Sequence, residues 1–299
     1  MSQIISHISD LHLPMENRPT FPQLMNQRIF GYINHSSKRK NIYKLENLNI
    51  IFDDITKTDN SHTVLTGDIV NLSLEDEFRS ASQILNHHFR DQDLSFIPGN
   101  HDSYINVNYE KSLSYLEKYF SKRNNPSLNQ DPFPYLKVIN DIAIIGLSSA
   151  VVTPPLMCWG KISNKQINDL KEILRSIDSN NYFTIILIHH PLHKYGLMNL
   201  KGLLNREELL KTISKYNVNL ILHGHLHNEI HNLIKINDKL IPCIGAPSSS
   251  RIINNQISYL QYKIGKKDDK WNFSIYRRSY NISIKRFISE DITERVFNE

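Results

Sequence analysis

Five apolar runs in this sequence end in side chains of the kind that hold metal ions. QIISHISDLH ends in Asp10 and His12, HTVLTGD in Asp68, and LSFIPGNHD in Asn100, His101 and Asp102. FTIILIHHP ends in His189 and His190, and LILHGHLH in His223, His225 and His227. Taken singly, an Asp-x-His pair is an ordinary surface hydrogen bond and a Gly-Asp an ordinary turn. Gly-Asn-His-Asp is more specific, because the glycine permits a sharp turn that exposes three polar groups. Together they point to convergence, since sites in α/β sheets lie beyond the carboxyl ends of the strands. Nitrogen and oxygen donors without thiolate suit Mn, Fe, Zn or Co and argue against copper–thiolate or iron–sulfur chemistry. The donors are too many for one tetrahedral zinc. Two metals sharing a carboxylate, roughly 3.5–4 Å apart, would use them all and clamp an in-line displacement at phosphorus.

The elements that must position these groups can be read around them. The runs above, with IAIIGLSS, are each about the length of a buried strand, and runs apolar on both faces suit sheets covered on both sides. Helices fall between them. In SNKQINDLKEILRSID, Ile167, Leu170, Leu174 and Ile177 share one face, and Ser163 with Gln166 makes a capping-box start. NREELLKTISKY opens with Asn205 as N-cap and Glu208 three residues on. The C-terminal part turns β-rich: EIHNLIKIND, KLIPCIGA, SYLQYKIG and WNFSIYRRSY read as successive strands, the last two joined by the charged turn KKDDK. No Pro/Gly/Ser linker divides the chain. We read a single α/β domain over residues 1–299, with a cap-like insertion at about 14–45 and a β-rich part from about 229.

Bulk properties narrow the class. With 40% hydrophobic and 22% charged residues the composition is that of a globular protein. The net charge of +5 and a pI near 9.0 favour an anionic partner. Two distant cysteines, Cys158 and Cys243, give no metal spacing, so a reducing compartment is the default. The first residues lack the features of a signal peptide, and no apolar run approaches a membrane span. A cytoplasmic protein is expected, peripheral if it meets a membrane.

In order, Asp-x-His, Gly-Asp, Gly-Asn-His-Asp, a histidine before proline, and Gly-His-x-His resemble the calcineurin-like metallophosphoesterases, over residue 4 to about 245. The resemblance implies two mixed β-sheets packed as a sandwich flanked by helices. It implies Asp10, His12 and His227 as ligands of a first metal, Asn100, His189 and His225 as ligands of a second, and Asp68 as the bridge. His189 is preferred to His190 because the family ligand stands two residues before the proline, and His223 is left structural. His101 matches the family's histidine that faces the phosphate and leaving oxygen, with Asp102 expected to orient its ring. The activity implied is phosphoester hydrolysis by a hydroxide between the metals. The family's Gly-Asp motif often continues to a second acidic residue, where GDIVN has Asn71.

His101 and the HHP fragment are similar to the cyclic-nucleotide phosphodiesterase branch, which implies a diester substrate. The insertion FPQLMNQRIFGYINHSSKRKN interleaves Phe21, Leu24, Met25, Ile29, Phe30 and Tyr32 with Arg28, Lys38, Arg39 and Lys40. An apolar face beside a basic cluster is what an interfacial segment uses against anionic lipid. An ordinary packed cap over the site fits it as well. The insertion also resembles a bacterial subgroup with phospholipase-C-like enzymes of lipid remodelling. A phosphodiesterase acting on glycerophospholipid head groups is therefore expected ahead of one acting on cyclic nucleotides. Manganese is the expected metal, with iron or zinc behind it. A nuclease would need an extended basic or stacking groove, which the sequence does not show, so no nucleic acid partner is expected. A non-catalytic scaffold is disfavoured because all seven ligand positions are filled.

Overall fold

Runs such as HTVL and FTIIL are rich in β-branched residues, which suit a pleated surface packed on both sides. In the structure, a computed structural model describing residues 2–36, 42–120, 132–193 and 200–297, both are strands with every residue buried. The chain first lays down β1 (Gln3–Ile8), β2 (His62–Leu65) and β3 (Leu94–Phe96), all parallel. It then builds a second sheet from β4 (Tyr135–Ile139), β5 (Ile142–Gly146), β6 (Phe183–Leu187), β7 (Leu220–His223), β8 (Ile230–Ile236) and β9 (Lys239–Gly245). It returns to the first sheet with β10 (Gln256–Lys267), β11 (Lys270–Asn281) and β12 (Arg286–Asp291). The orders are β12-β11-β10-β1-β2-β3 and β4-β5-β6-β7-β9-β8, six strands each. Both sheets are mixed, with β1-β10 and β4-β5 antiparallel and β5-β6-β7-β9 parallel. This is the architecture the resemblance implies.

Strand alternation divides the core. Phe183, Ile185 and Leu187 of β6 join Ile142, Ile144, Leu220 and Leu222 in one apolar cluster, with Ile5, Val64 and Tyr262 of the first sheet. Ile186 points the other way and joins Ile145 and Ile221 under two helices, α5 (Asn164–Ser176) and α6 (Arg206–Ile213). On the first sheet, α3 (Leu45–Lys57) and α4 (Glu75–His88) bury Ile51, Phe52, Phe78 and Leu85. The insertion forms two short helices, α1 (Phe21–Leu24) and α2 (Arg28–Asn34), and α7 (Thr293–Phe297) follows β12. No helix among the described residues is long and apolar enough to cross a membrane.

Two caps differ from expectation. Ser163 does accept from Gln166 N at 3.2 Å, but the Gln166 amide turns away to bond Ser148 on both its N–H and carbonyl. Asn205 does not cap α6: its side chain accepts from Ile162 N at 3.0 Å and donates to Ile162 O at 2.9 Å, a tertiary tie that outcompetes the local one. Strands β4 and β12 were not among the expected elements. Both are sheet edges, β4 partly and β12 mostly exposed, so neither carries the continuous apolar run that marks a buried strand. The KKDDK turn is a tight hairpin in which Asp268 and Asp269 both take positive φ (50° and 58°), the geometry that matches strand twist.

Candidate metal centre

All five expected strand ends reach one place, where the carboxyl edges of the two sheets meet. The backbone there is unusual. Asp10, His12, Asp68, His225 and His227 have φ of 51°, 43°, 55°, 75° and 59°. Left-handed backbone at non-glycine residues costs on the order of 1–3 kcal/mol each and persists only where its surroundings enforce it. They do so here. Asp10 N donates to Gly67 O at 3.0 Å, His12 N to Asp68 O at 3.0 Å, and Ser248 Oγ to Asp10 O at 2.7 Å. The Asp10 carboxylate accepts from His225 N at 3.0 Å, so one ligand-type residue holds the loop of another.

The side chains converge in two groups, Asp10, His12, Asp68 and His227, and Asp68, His189 and His225. In the first, His12 Nε2 lies 3.2 Å from His227 Nε2 and 3.8 Å from Asp68 Oδ2, while His227 Nε2 is 3.3 Å from Asp10 Oδ1. In the second, His189 Nε2 lies 3.5 Å from Asp68 Oδ1, and Asn100 Oδ1 is 3.2 Å from His189 Nε2 and 2.8 Å from His225 Nδ1. Asp68 thus turns one oxygen to each group. The donors fit two cations: imidazole nitrogens and carboxylate oxygens crowd together within reach of one another.

Other contacts set which nitrogen points inward. His12 Nδ1 donates to Val70 O at 3.3 Å and His189 Nδ1 to Thr66 O at 2.6 Å, leaving Nε2 toward the groups above. Burial, with His190 and His189 nearby, holds the His225 imidazole well below its usual pKa, in the neutral form that binds metal. Burial alone would raise the Asp68 carboxyl, but His189, His101 and His12 outweigh it and hold it well below the usual range. His190 packs its ring 4.6 Å from that of His225 but turns Nδ1 to Ser149 Oγ at 2.8 Å, and His223 Nδ1 faces Gly224 O at 3.0 Å.

Three glycines make the crowding possible. A Cβ on Gly99 would lie 2.2 Å from Asp68 Oδ1, one on Gly224 would lie 2.0 Å from Ser9 Oγ, and one on Gly67 2.7 Å from His189 Nδ1. Gly67 also has φ of 94°, which suits no side chain.

One expected role is corrected. Asp102 does not orient the His101 ring. Its carboxylate accepts from the backbone N–H groups of Asp68, Ile69, Val70 and Gly99 at 2.8–3.1 Å. Those bonds pin the turn carrying Asp68 to the turn carrying Asn100. Burial and the Asp68 carboxylate push Asp102 up to about 7 against the pull of these donors. The His101 ring is held by Asn71 O, 2.7 Å from Nδ1. Asn71, noted as a departure, serves through its backbone, while its amide donates to Leu13 O at 2.7 Å.

Sequence reasoning missed two tyrosines. Tyr104 stacks on His101 with ring centroids 5.5 Å apart, and Tyr43 Oη lies 2.9 Å from His227 Nδ1. Neither sits in a strand-end motif. The spacing of Tyr104, two residues beyond GNHD, was the only available signal.

The sequence model of the calcineurin-like phosphoesterases matches residues 5–229. The chain belongs to that family, and is with it a hydrolase of phosphoesters. A comparison with curated proteins finds no match. Among solved structures it is similar to a dimetal phosphatase from Danio rerio, at 14% identity and TM-score 0.58, covering 97% of this chain and 98% of that one. It is also similar to purple acid phosphatase PPD1 from yellow lupin (Lupinus luteus) seeds, at 14% identity and TM-score 0.60, covering 97% of this chain and 53% of that one. Sulfate thiohydrolase SoxB from Thermus thermophilus gives 12% identity and TM-score 0.53, over 99% of this chain and 59% of that one. At these identities the likeness is one of fold.

Proposed function

We propose that the chain is a dinuclear phosphodiesterase acting on glycerophospholipid head groups at an anionic membrane surface from the cytoplasmic side, releasing diacylglycerol. The observation that carries the lipid reading is a row of exposed apolar side chains beside the site. Phe21 of α1, Met25 just after it, and Ile29 and Ile33 of α2 are 78%, 72%, 42% and 58% exposed. A soluble substrate gives such a row nothing to cover. The row is tied to the site: Arg28 Nε donates to Leu72 O at 2.7 Å, and Gln27 donates to the carbonyl of Tyr104, the residue stacked on His101. The basic cluster Lys38, Arg39 and Lys40 lies outside the described residues.

In this reading Asp10, His12 and His227 hold one cation, Asn100, His189 and His225 the other, and Asp68 both. Manganese is the proposed metal, with iron or zinc accepted by the same donors. When bound, the cations supply Lewis acidity and neutralise charge at the phosphate. With His101 Nδ1 committed to Asn71 O, the nitrogen that serves the departing oxygen is Nε2. Stacked Tyr104 keeps the ring from turning.

The test is to reload metal-stripped protein with Mn²⁺, incubate it with mixed phosphatidylglycerol and phosphatidylcholine micelles, and quantify diacylglycerol against Asp68→Ala. Diacylglycerol from wild type alone is expected. Hydrolysis of bis(p-nitrophenyl) phosphate without diacylglycerol would sink the lipid reading and turn the search to cyclic nucleotides.

A further inference from the structure

The insertion reaches the metal centre itself, through one residue. Tyr43 stands at its carboxyl end, 6% exposed, bridged through its backbone to Arg251 and 2.9 Å by its hydroxyl from His227 Nδ1. Its ring also lies 5.0 Å from that of His12. The opposite nitrogen of His227, Nε2, is the one that faces Asp10 and His12.

We propose that Tyr43 is the positioning residue of the first metal site, fixing the ring orientation and tautomer of His227. The inference rests on the dinuclear reading and extends it to a residue outside every strand-end motif. Its physical basis is a contrast among the site histidines. His12 and His189 hold Nδ1 against main-chain carbonyls, which only accept, so Nδ1 must carry the proton. The partner of His227 is a hydroxyl, which can accept or donate. By accepting from Nδ1–H, Tyr43 leaves the Nε2 lone pair for a cation. Because the phenol could equally donate, His227, unlike His12 and His189, can change tautomer without breaking its hydrogen bond. The first site is therefore the softer of the two, and its order depends on the seating of the insertion. The neighbouring chain supports this seating: Ser248, in the loop bridged to Tyr43 at Arg251, holds the Asp10 carbonyl at 2.7 Å.

Tyr43→Phe keeps the ring and its packing and removes only the hydroxyl. Titrated with Mn²⁺, wild type should bind two equivalents. In Tyr43→Phe one equivalent should weaken by about tenfold or more, the usual effect of losing a partner behind a ligating histidine, while the other keeps its affinity. The metal-free proteins should melt alike, which separates positioning from packing. In ¹⁵N-histidine spectra of manganese-free, Zn²⁺-loaded wild type, His227 should ligate through Nε2 with a proton on Nδ1, a readout that needs no variant. Ligation through Nδ1, or two equivalents in Tyr43→Phe at wild-type affinity, overturns the proposal and leaves the dinuclear reading standing. Equal weakening of both equivalents overturns it too, as general loosening. Wild type that binds no Mn²⁺ or Zn²⁺ overturns the dinuclear reading as well.

Discussion

A carboxylate that accepts four backbone N–H groups does structural work that no surface aspartate does. Asp102 joins the Asp68 turn to the Gly99 turn through both its oxygens. Hydrogen bonds to a charged group contribute about 1.5–3 kcal/mol each, and a buried donor left unmade costs about as much again. Asp102→Asn replaces one accepting oxygen by an NH₂ facing N–H donors, so it should lower stability by at least about 3 kcal/mol. Urea unfolding of the metal-free protein measures this. Unchanged stability with a lower kcat alone would instead return Asp102 to the ring-orienting role. The residue types in GNHD were legible as a site, but the division of labour among them was not. It depends on which backbone groups fold back within reach, and Asn71 O and the Asp68 turn lie about thirty positions away in the chain.

At the scale of elements, buried strands announce themselves and edges do not. Strands β6 and β7 are buried at every position and mostly apolar because both faces are covered, whereas β4 and β12 show water one face or more. The helical stripe of α5 was legible for the same reason: Ile167, Leu170 and Leu174 are buried against Ile145, Ile186 and Ile221. Leu170→Ala should therefore cost about 2–5 kcal/mol in urea unfolding, with metal binding intact because α5 covers the face away from the centre. The caps of α5 and α6 were only half legible. A capping sequence states a local preference, and the tertiary ties of Gln166 and Asn205 override it. The insertion makes its own prediction. Replacing Phe21, Met25, Ile29 and Ile33 together by serine should abolish binding to anionic vesicles in a flotation assay and leave hydrolysis of bis(p-nitrophenyl) phosphate intact. Retained flotation would remove the apolar row from the membrane argument.

The whole molecule buries histidine on a scale that ties its stability to pH. His7 and His62 lie in the first sheet, away from the metal donors and fully buried. Burial, with the charge of His223 near one and Lys137 near the other, lowers both from about 6.5 to about 3. Their folded pKa lies below the unfolded one, so the unfolded chain binds the extra protons. The stability linked to their neutrality is full above about pH 6.5 and is lost as pH falls toward 3. Each such group contributes up to about 1.4 kcal/mol per pH unit across that window. His62→Gln retains an amide for the contact that His62 Nε2 makes with Ser95 Oγ at 2.8 Å and cannot titrate. Between pH 6.5 and 4.5 the variant should lose roughly 2 kcal/mol less stability than wild type, read from urea unfolding of the metal-free proteins at the two pH values. Equal losses would mean that His62 is charged in the folded state, with the nearby Asp93 carboxylate outweighing burial and Lys137.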